Sequence, residues 1–505
     1  MLVRLAVMRS CVGLKPSARS MAVLWFAVWL VLFGGGGRPA AGQDALASVG
    51  EPQRVDLVAV GDLMVHETQL KTHWVASANA YLFDDDFRFI TPYLQLADLA
   101  IGNLETVFAG PEKKYSGYPY FNTPDTFAEA LARAGFDVLT VANNHALDMG
   151  VPGAIRTVEI IRKNGMAVIG GRARPEEDPL LIKEVRGVKV GLLGLSYETG
   201  PRGTARTLNG TVMPAAALEL LETFRPYKLA EDLPLIEAKV RRLREKGAEL
   251  IVVVLHWGEE YGKAPTAGQR LMAQHLASAG VDLVFGHHPH VVQKVELLPR
   301  PDDGRMLVAW SLGNFISNQR YEFLKRRDTE DGLLMRVVME RDGPGRPWRF
   351  AQIGAVPLWV HRHLRAGTWH YHILPLVEAL ANEAAFGLDT PDSRWRARNS
   401  WEQTMAVLGP GSATVPIHPP LPLASFSLLT AVVPPSAAPA APATPAVPAV
   451  PPASSSVSSA SPSPSSPSSC SPSPAAPTAR PRRSTAPLPA ASSAPSSALA
   501  SPRRP

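Results

Sequence analysis

Between residues 52 and 385 short apolar runs alternate with amphipathic stretches. The runs 55–60 (VDLVAV), 136–141 (FDVLTV), 188–195 (VKVGLLGL), 250–255 (LIVVVL) and 281–285 have strand length and are apolar at nearly every position. Such runs suit strands buried on both faces. Further strands are expected at 307–310, 333–339 and 371–374. In 126–134 (TFAEALARA), Phe127, Ala130, Leu131 and Ala134 recur at helical spacing, and Gly135 follows as a C-cap. Segment 153–164 repeats the pattern with Ala154, Ile155, Val158 and Ile161. Helices are also expected at 235–246 and 266–279. Buried strands separated by helices predict an α/β layered fold, whose chemistry collects in loops just past strand ends.

The two ends lack this pattern. Residues 21–33 (MAVLWFAVWLVLF) are 13 apolar positions followed by glycines and small residues. At 1.5 Å per residue this run is shorter than a ~30 Å hydrocarbon core, so 1–42 reads as an export signal or an N-terminal anchor. From about Pro434 the chain is Pro, Ala and Ser almost throughout, with 20 of its 48 prolines and no aromatic residue. This composition predicts a disordered low-complexity tail over 434–505. The organisation expected is a leader (1–42), a globular domain (52–385), a loose extension (386–433) and the tail. The protein is expected to be exported: periplasmic, extracellular or anchored at the cell envelope.

The net charge of +6 changes meaning once partitioned. Residues 1–42 carry five basic residues and no acid, and 434–505 carry five more and no acid, which leaves about −4 for 43–433. The partition argues against a basic nucleic-acid-binding core, and no nucleic-acid partner is expected. The only cysteines, Cys11 and Cys470, lie in the two ends, so the domain has neither disulfide nor thiolate ligand.

Six apolar runs end in side chains that bind metals. They are Asp62 in GDLMVH, Asn103 and Glu105 in GNLET, Asn143, Asn144, His145 and Asp148 in NNHALDMG, His256 in LHWGEE, His288 and His290 in GHHPH, and Asn314 in SLGNF. A single Asp or Asn after a strand is usually a turn or cap residue. His-x-His carries more, because alternate strand residues share a face. Asp, Glu, Asn and His without Cys suit Zn, Mn or Fe pairs used in hydrolysis. Asp148 reads either as a partner that orients His145 or as a helix cap. Asn314 reads as a turn residue or a further ligand. His73, His275, His361, His363, His370 and His372 show no ligand pattern, and Asp84–Asp86 reads as a solvated acidic turn.

The ordered motifs 61–62, 103–105, 123–150, 256–260, 286–293 and 311–315 resemble the CapA-type capsule-synthesis proteins. These are associated with poly-γ-glutamate production and belong to the calcineurin-like metallophosphoesterase superfamily. The resemblance implies a four-layer α/β/β/α sandwich with a two-metal site. It implies Asp62, Glu105 (bridging), Asn144, His256, His288 and His290 as ligands of two divalent ions (Mn, Fe or Zn). It implies His145 as proton donor, with Asp148 beside it. His66, Asn103, Asn143, His287 and Asn314 are further candidates for ligands or for support behind them. Met64 stands where the superfamily carries a histidine, and His66 replaces it only if the loop bends. Two functions follow as expectations: metal-dependent hydrolysis of a phosphoester or γ-glutamyl amide, or polymer binding by an anchored subunit beside membrane capsule-synthase partners.

Overall fold

The computed structural model describes residues 52–365, 367–409, His418 and Leu421. The leader expected over 1–42, the tail over 434–505 and most of 410–433 lie outside the described residues. Among the described residues no helix is long and apolar enough to cross a membrane.

Two sheets make the centre. The first runs Thr368–Pro375, Arg349–Arg365, Asp331–Arg341, Gln53–Leu63, Leu99–Leu104, Val138–Thr140, Ala167–Ile169. Gln53–Leu63 pairs parallel with Leu99–Leu104 and antiparallel with Asp331–Arg341. The second runs Thr223–Phe224, Val188–Tyr197, Leu250–His256, Leu283–His287, Arg305–Ala309, Val295–Pro299.

Period-2 alternation decides which sheet face meets which layer. In Gln53–Leu63, Val55, Leu57 and Ala59 join one core cluster and Val58 and Val60 another. The first cluster also holds Leu192, Val252, Val254, Phe285 and Leu307 of the second sheet, so it is the layer between the sheets. The other face of the first sheet is covered by Thr126–Ala134 and Gly150–Lys163 through Phe127, Leu131, Val158 and Ile161. The outer face of the second sheet is covered by Leu229–Glu245 and Ala267–Ser278 through Ile236, Val240, Met272 and Leu276. The order is α/β/β/α, the four-layer sandwich expected from the sequence.

Several elements differ from the sequence reading. The helix expected from 235 begins at Leu229 and runs through Pro234. The 17-residue strand Arg349–Arg365 was not foreseen. The stretch from 386, expected to be loose, contains the helix Pro391–Leu408, capped by Thr390. Its buried face is Ser393, Ala397, Ser400, Thr404 and Leu408, so it belongs to the fold rather than to an extension.

Candidate metal centre

The carboxyl ends of the parallel strands in both sheets bring the polar motifs together. Asp62 lies next to the last residue of Gln53–Leu63, and Asn103 is in register with it on Leu99–Leu104. His256 and His287 end two adjacent strands of the second sheet and are paired. Two glycines permit this closeness: a Cβ on Gly61 would lie 2.1 Å from Gly313 O, and one on Gly286 would lie 2.1 Å from Trp310 O. His288 and His290 have φ of 94° and 57°, a region that side chains other than glycine seldom occupy. Such strain concentrates at functional sites.

Asp62, Glu105, His256, His288 and His290 are all buried. Glu105, His288 and His290 form one three-donor group and Asp62, Glu105 and His256 another, with the donor atoms of each group within 4.8 Å of one another. Glu105 belongs to both. Its Oε1 is 3.4 Å from His256 Nε2 and 3.7 Å from His290 Nε2. Asn144 Oδ1 is 2.8 Å from His256 Nε2 and so faces the same space. All six residues expected as ligands therefore converge.

The remaining motif residues stand behind these six. Asn103 Nδ2 donates to Asp62 Oδ1 (2.7 Å) and to His256 Nδ1 (3.2 Å). Asn143 Nδ2 donates to Leu104 O (2.7 Å), and its Oδ1 accepts from His145 N (3.1 Å). His287 Nδ1 is 3.1 Å from Asp62 Oδ1. His290 Nδ1 donates to Asp62 Oδ2 (3.0 Å) and Asn314 Oδ1 (3.1 Å), which turns its Nε2 toward Glu105. Asn314 thus orients a histidine rather than only shaping a turn. His66 caps the helix Glu67–His73, its Nδ1 accepts from Asn318 N (3.1 Å), and it enters neither donor group. Asp148 Oδ2 accepts from His145 Nδ1 (2.8 Å) and from Phe121 N (2.7 Å). It orients His145 and caps no helix.

Electrostatics separate the two carboxylates. Burial opposes ionisation of Asp62, but the hydrogen bonds and charges of His287 and His290 hold it well below the usual range. Glu105 has neither oxygen hydrogen-bonded. Burial, joined by the charge of Asp62, pushes it up to about 8 against the pull of His290. Burial works against His290 too, but Glu105 and Asp62 raise it to about 9. Burial holds His256 and His288 well below the usual imidazole value, hence as neutral donors. An unpartnered buried carboxylate is costly unless a proton or a cation joins it. Unpartnered oxygens facing neutral imidazoles fit a divalent cation.

The sequence reading overlooked the aromatic walls. Tyr197, at the end of Val188–Tyr197, packs on His288 (4.6 Å between centroids) and stacks on His256 (6.2 Å). Phe121 meets His145 edge-on at 4.7 Å. The only sequence signal for Tyr197 is that its strand ends at the same sheet edge. Trp257 is buried against Trp310 as packing. The acidic turn is not wholly solvated, since Asp86 is buried beside His73, 2.8 Å away.

The family model described as "Bacterial capsule synthesis protein PGA_cap" matches residues 56–319. The "Capsule biosynthesis protein CapA" of Bacillus anthracis is 28% identical over 299 residues, 58% of this chain and 66% of that protein. The "PGA biosynthesis protein CapA" of Bacillus subtilis (strain 168) is 28% identical over 267 residues, 52% of this chain and 63% of that protein. The chain thus spans just under two thirds of the length of each relative. Among solved structures, the sulfate thiohydrolase SoxB of Thermus thermophilus aligns over 61% of this chain and 42% of that chain, at 13% identity and a TM-score of 0.28.

Proposed function

Since the chain belongs to the bacterial capsule synthesis protein family, we propose that it acts at the cell envelope in making a poly-γ-glutamate-like polymer, by metal-dependent hydrolysis of a phosphoester or γ-glutamyl amide. The observation that carries this reading is Glu105, buried, with neither oxygen hydrogen-bonded, and common to both donor groups. Glu105, His288 and His290 would hold one divalent cation, and Asp62, His256 and Glu105, with Asn144 beside His256, a second. When bound, such cations polarise the scissile group and neutralise developing negative charge.

The protein's own groups supply the rest. Asp148 fixes His145 through Nδ1, which leaves Nε2 to give a proton to the leaving atom. Phe121 N anchors Asp148, and the Phe121 ring borders His145. Tyr197 walls off the histidines, and exclusion of water there strengthens every charge interaction inside. Export through the 1–42 leader would bring this site to the polymer, beside membrane synthase subunits.

A one-cation centre is the second reading, and Asp62 favours it. Asp62 Oδ1 accepts from Asn103 and lies 3.1 Å from His287 Nδ1, while Oδ2 accepts from His290. A cation on Asp62 would have to displace some of these contacts. The deciding experiment measures metal content of the full chain after mild purification. It then screens bis(p-nitrophenyl) phosphate and poly-γ-glutamate with added Mn(II), using Glu105→Gln and Asp62→Ala as controls. Turnover lost in both variants supports the two-cation hydrolase. Turnover lost only in Glu105→Gln supports one cation. Polymer binding without turnover identifies a binding subunit, and a metal-free, inert protein overturns the enzyme reading.

A further inference from the structure

The strand missed in sequence gathers histidines that showed no pattern along the chain. Arg349–Arg365 and Thr368–Pro375 pair antiparallel with His361 opposite His372 and His363 opposite His370. Alternation puts all four on one face of the hairpin. Ring centroids are 4.7 Å apart for His361–His363, 4.9 Å for His363–His372 and 5.6 Å for His363–His370. This face shares no residue with the centre around Glu105.

Hydrogen bonds set which nitrogens are free. His372 Nε2 donates to Asp85 Oδ2 (3.0 Å), and His361 Nε2 donates to Gly387 O (3.3 Å). The lone pair of each ring is then on Nδ1. The Nδ1 atoms of His361, His363 and His372 are all buried without a hydrogen-bond partner. Buried polar atoms are normally satisfied, so three orphans in one cluster call for a ligand. An imidazole whose far nitrogen donates to a carboxylate or carbonyl is the usual form of a metal-binding histidine. Burial, with the neighbouring histidines, holds His363 down to about 4, so it is neutral at pH 7. A cavity of about 330 Å³ borders His361 and His363, and Glu322, Asp389 and Asp392 on its wall offset its arginines.

We propose that His361, His363 and His372, with His370 at the rim and Asp85 behind, form a separate site for one borderline divalent transition-metal cation of the Zn(II) type. Imidazole-only donors select such ions over Mg(II) or Ca(II). His361 lies stacked between Trp359 and His363, so binding requires these rings to turn until their Nδ1 atoms face one point.

The test uses the full chain carrying His256→Ala, His288→Ala and His290→Ala, which removes the imidazoles of the Glu105 centre. Calorimetric titration of the metal-stripped protein with Zn(II) alone is expected to show one equivalent bound. Adding His363→Gln and His372→Gln is expected to abolish it. Cu(II) in the triple variant is expected to show hyperfine coupling to at least two imidazole nitrogens by electron paramagnetic resonance. No Zn(II) uptake by the triple variant overturns the proposal, and so does uptake unchanged by the two glutamines. If the five-fold variant does not fold, the Cu(II) spectrum decides alone: fewer than two coupled nitrogens overturns the proposal.

Discussion

Just past the Leu99–Leu104 strand, Glu105 sits with both oxygens buried and unbonded, and its proton affinity is raised to about 8. Without metal its negative form is a cost, so Glu105→Gln should leave the stability of the metal-stripped protein unchanged or slightly higher. With metal the order reverses. A cation at about 100 times its dissociation constant adds roughly 2.7 kcal/mol per site to the native protein, and this gain should vanish in Glu105→Gln. Thermal denaturation of both proteins with and without Mn(II) checks both halves. His145 and Asp148 call for a different readout because neither belongs to a donor group. His145→Gln should lower kcat by roughly 10²–10⁴-fold with metal content unchanged, the usual range for a general acid. Asp148→Asn keeps the shape but loses the carboxylate that fixes Nδ1, so its loss should be smaller. Both losses should shrink for nitrophenyl esters, whose leaving group needs no proton. An equal loss on alkyl and nitrophenyl esters would argue against proton donation by His145.

Among the strands, those readable in sequence were the ones whose burial is nearly uniform, whereas the helices were read from their one-sided spacing. Leu250–His256 is buried along its whole length, and its apolar run of LIVVVL announces it. The site residues were readable for a related reason: each follows such a run, so the end of the run marks the place. Arg349–Arg365 gave no such signal, because Pro357, Gly354 and alternating Arg and His interrupt it. Proline is rare inside sheets. Pro391–Leu408 was hidden differently. Its buried positions keep helical spacing, but they are Ser, Ala, Ser and Thr before Leu408, and hydropathy does not register small polar residues packed inward. The histidine ladder was invisible because its pairing depends on hairpin register, which local pattern does not reveal. That ladder also makes stability depend on pH. Burial, helped by His363 and His372, holds folded His361 well below the usual imidazole value, whereas in the unfolded chain it takes up a proton near pH 6.5. The unfolded state then binds more protons, so stability falls as pH drops below about 6.5, by up to ~1.4 kcal/mol per pH unit for one such group. With a chelator present, His361→Gln should flatten the fall in urea midpoint between pH 7 and 5, while Gln can still donate toward Gly387 O. An unchanged slope would mean that His361 is already protonated in the folded protein.

For the whole molecule the question is where the folding unit stops, and sequence and structure answer differently. Loss of apolar pattern suggests an end near 385. In the structure Phe386 and Leu388 belong to the core outside the first sheet, and Leu408 reaches the layer between the sheets. Ala397 fills a further place in the outer core. Beyond the helix, His418 N donates to Ala355 O (2.8 Å) and Leu421 N donates to Glu378 Oε1 (2.9 Å), so the chain is still fastened to Arg349–Arg365 and Leu376–Ala381 there. Burying a large apolar side chain contributes roughly 1.5–3 kcal/mol. Losing Phe386, Leu388 and Leu408 together therefore removes on the order of 5–9 kcal/mol, comparable to the whole stability of a domain. The loss also uncovers Trp359 and His361 on the strand that carries the histidine ladder. A chain ended after residue 385 should aggregate or melt without a cooperative transition, and it should bind no metal at either centre. A chain ended after residue 425 should keep the cooperative melt and the metal content of the full chain. Circular dichroism and elemental analysis of the two truncations compare them directly. A well-folded, metal-loaded 385 truncation would show that Pro391–Leu408 only rests on a fold complete without it.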